Sequence, residues 1–128
     1  MAIEPKDLLT VLVGSYPKLR HSFVVNAEEW ISQEGGIEAC ALFRLTADCI
    51  LEGFTDGNFD GAEELFGTVE RCLTLGSREV ADAAATCFLE NVTNTPEMGQ
   101  LAVLFMGKLS KQHCRAWDNF TGVVTPGL

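Results

Sequence analysis

Six residues in the middle of the chain invite a chemical reading: Asp56-Gly57-Asn58-Phe59-Asp60-Gly61. They match D-x-N-x-D-G, the opening of a calcium-binding EF-hand loop. Such a loop sets oxygen ligands at positions 1, 3 and 5, a glycine at 6 and a bidentate glutamate at 12. Counted from Asp56, position 12 is Gly67 and position 8, usually apolar, is Glu63. The carboxylate that completes a calcium shell is missing, so no metal site is expected. A structural reading uses the same residues. Asp56-Gly57 and Asn58 make a turn, and Asp60 caps the next helix, with Glu63 at the spacing of a capping box.

The other reactive side chains are scattered. Cysteines stand at 40, 49, 72, 87 and 114, an odd number at wide spacing with no C-x-x-C, and the two histidines are His21 and His113. A zinc site needs clustered ligands, and a nucleophilic cysteine needs a neighbouring base. Neither pattern is present. All five cysteines are expected to be buried free thiols that pack as small hydrophobes. A secreted disulfide framework is not expected. Glu28-Glu29 and Glu63-Glu64 are paired carboxylates, but each pair falls where a helix N-terminus favours acids. No glycine-rich phosphate loop or nucleophile motif occurs. The chain is therefore expected not to be an enzyme and to carry no cofactor.

The elements that position these residues read as helices throughout. The best is Ser77–Asn91. Ser77 is the expected N-cap, with Glu79 at the positive end of the helix dipole. Val80, Ala81, Ala84, Ala85, Phe88 and Val92 recur every three or four residues and share one face. Three of them are alanines, so neighbouring helices can approach closely.

Other helices are expected over Glu4–Tyr16, over Ala27–Gln33 with Asn26 as cap and Trp30 and Ile31 turned inward, over Ile37–Phe54, over Ala62–Leu75 and over Glu97–Phe120. Glu63, Glu64 and Glu70 are expected to face water. Gly76 is expected to end its helix as a left-handed residue. Ser22–Val25 fits either a helix or an extended run. The tail, 122–128, should fray. The expected fold class is all-α: one domain over 1–128, with five or six helices packed as HEAT-like antiparallel hairpins. No stretch of about 18 apolar residues suggests a membrane span. The opening M-A-I-E-P-K-D-L-L lacks the regions of a signal peptide, so a cytoplasmic location is expected.

Charge is the strongest compositional feature. The net charge is −9 over 128 residues. Between Asn26 and Gln100 stand fifteen acids against Arg44, Arg71 and Arg78, a net of −12. Such a field repels nucleic acid and attracts cationic partners. Solubility alone also accounts for an acidic surface.

The stretch Asn58–Asn91 resembles a family of small bacterial helical proteins. The matching residues are Phe66, Glu70, Gly76, Glu79-Val80 and Phe88-Leu89-Glu90-Asn91. Members of that family look like immunity proteins of contact-dependent growth inhibition and related polymorphic toxin systems. The resemblance implies a protein that binds a cognate toxin and occludes its active site. The expected partner is a cationic, nuclease-like toxin. The expected contact residues are Asp56, Asp60, Glu63, Glu64 and Glu70, with Asp82 second. The alternative is a helical adaptor or scaffold domain.

Overall fold

The computed structural model describes residues 2–128. The chain is all-helical. After a short 3-10 turn at Pro5–Asp7 come α1 (Leu8–Ser15), α2 (Leu19–Val25), α3 (Ala27–Trp30), α4 (Ala39–Thr55) and α5 (Ala62–Leu75). The next rod, α6, runs without a break through Arg78–Ala83, a π-helical turn Ala84–Leu89, and Glu90–Val92. Then follow α7 (Pro96–Val103) and α8 (Lys108–Thr121). Eight helices among the described residues replace the five or six expected. Two isolated bridges, Ile3 with Gly76 and Ile31 with Ile37, are the extended pairings among them.

The core is built around α6. Val80, Ala84, Phe88, Leu89 and Val92 are fully buried, and Ala83 and Ala85 nearly so. Phe88 meets Phe66 of α5 edge-on at 5.3 Å and Phe43 of α4 at 6.5 Å. Aromatic pairs in this geometry add to the burial of their area. Ser77 caps the rod as expected, its hydroxyl accepting from the Val80 N–H at 3.3 Å.

The widened turn departs from the expected regular helix. The Glu90 N–H bonds to the Ala85 carbonyl, five residues back. Side chains bracket the turn: Thr86 Oγ1 donates to the Asp82 carbonyl at 2.8 Å and Asn91 Nδ2 to the Cys87 carbonyl at 2.7 Å. π-turns inside helices are rare and recur at functional positions.

Several local expectations are corrected. Gly76 is extended (φ −71°, ψ 152°), not left-handed. Its lack of a side chain serves packing instead, because a Cβ there would stand 2.3 Å from the Cys72 carbonyl oxygen and 2.9 Å from Val80. Ile3 pairs with the backbone on either side of Gly76, its N–H donating to the Leu75 carbonyl and its carbonyl accepting from the Ser77 N–H, both at 2.8 Å. Ser22–Val25 lies in a helix. Asn26 does not cap α3; its side-chain amide donates to the Ser22 carbonyl at 2.8 Å. Trp30 is partly buried and donates to the Phe23 carbonyl, whereas Ile31 is 45% exposed.

The expected last helix is two. α7 stops at Val103, and α8 begins afresh after an extended Gly107. The tail folds back: Thr125 is buried, its N–H and hydroxyl donating to the Asp118 carboxylate at 2.7 and 3.0 Å.

Replacing Phe88 with alanine should cost about 3–5 kcal/mol of stability, the range for losing a buried aromatic ring. Urea unfolding followed by circular dichroism measures it. A loss below about 1 kcal/mol would show that the ring does not anchor the helices around it.

Candidate functional site

The six acids named from sequence do not form one cluster of equivalent groups. Asp56 and Asp60 lie on the loop between α4 and α5, and Glu63 and Glu64 on the first turn of α5, all exposed. Glu70 sits on the last half of α5 and is committed elsewhere. Its Oε2 accepts from the Leu109 N–H at 2.7 Å, and its Oε1 from the Ser110 N–H and hydroxyl at 3.0 and 2.9 Å. A carboxylate here satisfies orphan donors at the start of α8 and meets the positive end of that helix. The expectation that Glu70 faces water is therefore corrected. Asp82 lies on α6, exposed, 3.9 Å from Arg78 one turn away, a surface pair worth little.

The α4–α5 loop is anchored from beneath. Phe59 packs against Phe54 at 5.4 Å, the rings tilted by 39°, and stacks on Phe105 at 6.2 Å. Asn58 Oδ1 accepts from the Asp60 N–H at 3.0 Å. Gly61, with φ +82°, is the N-cap residue of α5, so the expected Asp60–Glu63 capping box is not made. A Cβ at Gly61 would lie 2.8 Å from the Tyr16 ring. The glycine is needed for both reasons, the left-handed angle and the close approach. Among the described residues no group of three or more His, Cys, Asp or Glu side chains is placed to hold a metal ion.

Tyr16 is the functional candidate that sequence reasoning passed over. It is 1% exposed, yet its hydroxyl finds no hydrogen-bond partner among the described residues. Leaving a buried hydroxyl unpaired costs about 1–3 kcal/mol. Burial raises the phenol's pKa, and the nearby Cys49, Asp60 and Glu52 push it up further. The group therefore stays a neutral hydroxyl, able to donate one hydrogen bond and to accept another. Tyr16 lines a small cleft of about 170 Å³ with Cys49, Glu52, Gly53, Asp56 and Asn58. In sequence it read only as the residue before Pro17; its unpaired hydroxyl is a property of the fold.

The second departure concerns cysteine. Cys40, in the first turn of α4, and Cys87, in the π-turn of α6, form a disulfide, with Cα atoms 5.4 Å apart. The expectation of five free thiols is corrected. A separation of 47 residues hid the pair, and the π-turn that carries Cys87 has no signature in helical periodicity. The disulfide lines an open groove of about 550 Å³ together with Glu38, Glu79 and Asp82. The other three cysteines are free: Cys72 and Cys114 are buried and Cys49 partly so. Burial pushes the Cys72 thiol up to about 11 despite Arg71. It pushes Cys114 up to about 12, with Asp118 and Glu90 adding to it. His113, unassigned from sequence, pairs with Glu90 at 2.8 Å.

Residues 9–122 match the model of a family described as Domain of unknown function (DUF7674). The chain belongs to this family. No curated protein matches it, and no solved structure does. The DUF7674 match runs from α1 to the end of α8, so it takes in Tyr16, the anchored loop, the disulfide and the Glu70 cap. No helix among the described residues is long and apolar enough to cross a membrane.

Thiol titration checks this assignment. Unfolded without reductant, the protein should expose three thiols, and with reductant five. In the native state Cys49 should react first with iodoacetamide. Burial raises its pKa, with Glu52 and Asp48 adding and Lys18 opposing, so the rate should climb only in alkaline buffer. Five thiols without reductant would remove the cross-link from the account.

Proposed function

We propose that this protein is a non-catalytic binding domain that holds a cationic protein partner against the acidic face around the α4–α5 loop. The observation that carries the reading is the anchored loop itself. Glu52, Asp56, Asp60, Glu63 and Glu64 lie within thirteen residues, with no lysine or arginine between Arg44 and Arg71. Phe59 and Tyr16 support that loop from below, so its carboxylates are offered on a rigid base. Rigid, pre-placed charge speeds encounter and lowers the ordering cost of binding.

The resemblance of Asn58–Asn91 to bacterial immunity proteins suggests the kind of partner. On that reading the partner is a toxin whose active site evolved to hold phosphates, and the carboxylates stand in for them. The protein would then neutralise the toxin by occlusion, in the cytoplasm, with helices stacked as HEAT-like hairpins. In that compartment the Cys40–Cys87 bond meets reducing thiol pools, and α4 and α6 must hold together by packing. Asp56, Asp60, Glu63 and Glu64 form the contact. Glu70 supports α8, and Asp82 belongs to the separate groove beside the disulfide. A helical adaptor using the same face is the second reading, favoured by that groove as a further surface.

Co-expression with the product of the neighbouring gene tests this. The expected result is co-purification and rescue of growth. Association should slow at least tenfold between low and high salt, because exposed charges are screened. Reversing Asp56, Asp60, Glu63 and Glu64 to lysine should abolish binding while the fold is kept. Co-purification without rescue would favour the adaptor. Binding indifferent to salt and to charge reversal would overturn the acidic face as the contact.

A further inference from the structure

The Tyr16 hydroxyl is buried, has no hydrogen-bond partner among the described residues, and belongs to a residue that lines a cleft. It stands 3.4 Å from where a Cβ at Gly53 would be. The absent side chain at Gly53 keeps that side of the cleft open. The rim carries Glu52 and Asp56, both exposed, and Asn58. The cleft holds about 170 Å³, more room than a single water needs. One cation lines it from within the chain: Lys18, whose Nζ lies 5.6 Å from the centre of the Tyr16 ring. Lys18 is exposed on a flexible stem and leaves the phenol oxygen unbonded.

The unpaired phenol oxygen and the exposed carboxylates of Glu52 and Asp56 belong to residues that line one cleft, and all three can accept hydrogen bonds. A guanidinium matches such a set. It is planar, offers five N–H donors in a fixed fork, and sheds water more readily than an ammonium. Lys18 already places a positive charge 5.6 Å from the centre of the Tyr16 ring, so the surroundings of the ring tolerate a cation.

We propose that the cleft between α1, α4 and the α4–α5 loop is a socket for one arginine side chain of a partner protein, with Tyr16 Oη at its floor and Glu52 and Asp56 at its rim. This rests on the reading of the loop as a contact face and names the chemistry of its central contact. The guanidinium donates to Tyr16 Oη and to the two carboxylates. Asp60, Glu63 and Glu64 supply the longer-range field that brings it in.

The test is an NMR titration of the full, ¹⁵N-labelled chain with N-acetyl-arginine methylamide at constant ionic strength. Amide shifts should move and saturate at Gly53, Asp56, Gly57 and Asn58, with a Kd on the order of millimolar for so small a probe. N-acetyl-citrulline methylamide, the neutral isostere, should leave them in place. Tyr16→Phe keeps the ring and should fold, and it should weaken the arginine probe roughly fivefold or more. Glu52→Gln should do the same from the rim. No shift at these amides, or equal shifts with the citrulline probe, would overturn the socket. An unchanged response in Tyr16→Phe would mean that the hydroxyl is served by ordered water only, and would overturn it too. If charge reversal abolishes partner binding but the arginine probe ignores the cleft, the socket falls and the acidic face stands. If the probe binds and no basic partner is found, the socket stands and the partner reading falls.

Discussion

The structure depends on one packing constraint: Phe88 must be buried where α4, α5 and α6 meet. Its ring is fully covered and edge-on to Phe43 and Phe66. To be covered it needs close neighbours, and Ala83, Ala84 and Ala85 let them come close. The π-turn serves the same constraint. By adding a residue to one turn it keeps Phe88, Leu89 and Val92 turned inward and brings Cys87 to the first turn of α4, where it meets Cys40. Side chains are then needed to satisfy the disturbed backbone, and Thr86 and Asn91 supply them.

Around that centre the peripheral elements are held by side-chain and backbone contacts, most of them between residues far apart in sequence. Glu70 holds α8 by its N-terminus. Glu90 reaches His113 on the same helix. Asp118 ties down the tail, and Ile3 ties the N-terminal segment to the α5–α6 turn. The α4–α5 loop is pinned by Phe59 and Tyr16. The outcome is a closely packed interior with the acids of the α4–α5 loop exposed on its surface. The features that invite a ligand, the cleft at Tyr16 and the groove beside the disulfide, both lie at its edge.

Much of the interior was legible in the residues. The Ser77 cap and the burial of Ala84, Ala85 and Phe88 follow from local rules of capping and period, which act within a turn or two; Ala81, expected on the same face, is only half-buried, and Ala83 is buried instead. The start of α5 at Ala62, the α5 core of Leu65, Phe66, Val69 and Cys72, and the helical character of the chain were readable the same way. What was not readable depended on distance or on space. Glu70 looks like any exposed helix acid until α8 arrives 39 residues later. The Cys40–Cys87 bond requires knowing that two helices touch. The break at Gly107 follows once that start of α8 is capped from outside, which no local pattern announces. Gly76 was expected to turn left-handed, and instead makes room for Val80. Of the candidate site, the acids were visible and their separation into loop, cap and groove was not. The unpaired Tyr16 hydroxyl was invisible, because an orphan exists only after everything else has found its partner.

Native-state hydrogen exchange across α4 and Ala84–Val92 tests the central claim most directly. If the Phe88 junction holds the structure, these amides should be the slowest in the protein, π-turn included, and should exchange only with global unfolding. Exchange of Ala84–Leu89 through a local opening, while α4 and α5 stay protected, would contradict the account. It would show the π-turn to be a mobile insertion and not the centre on which the helices are assembled.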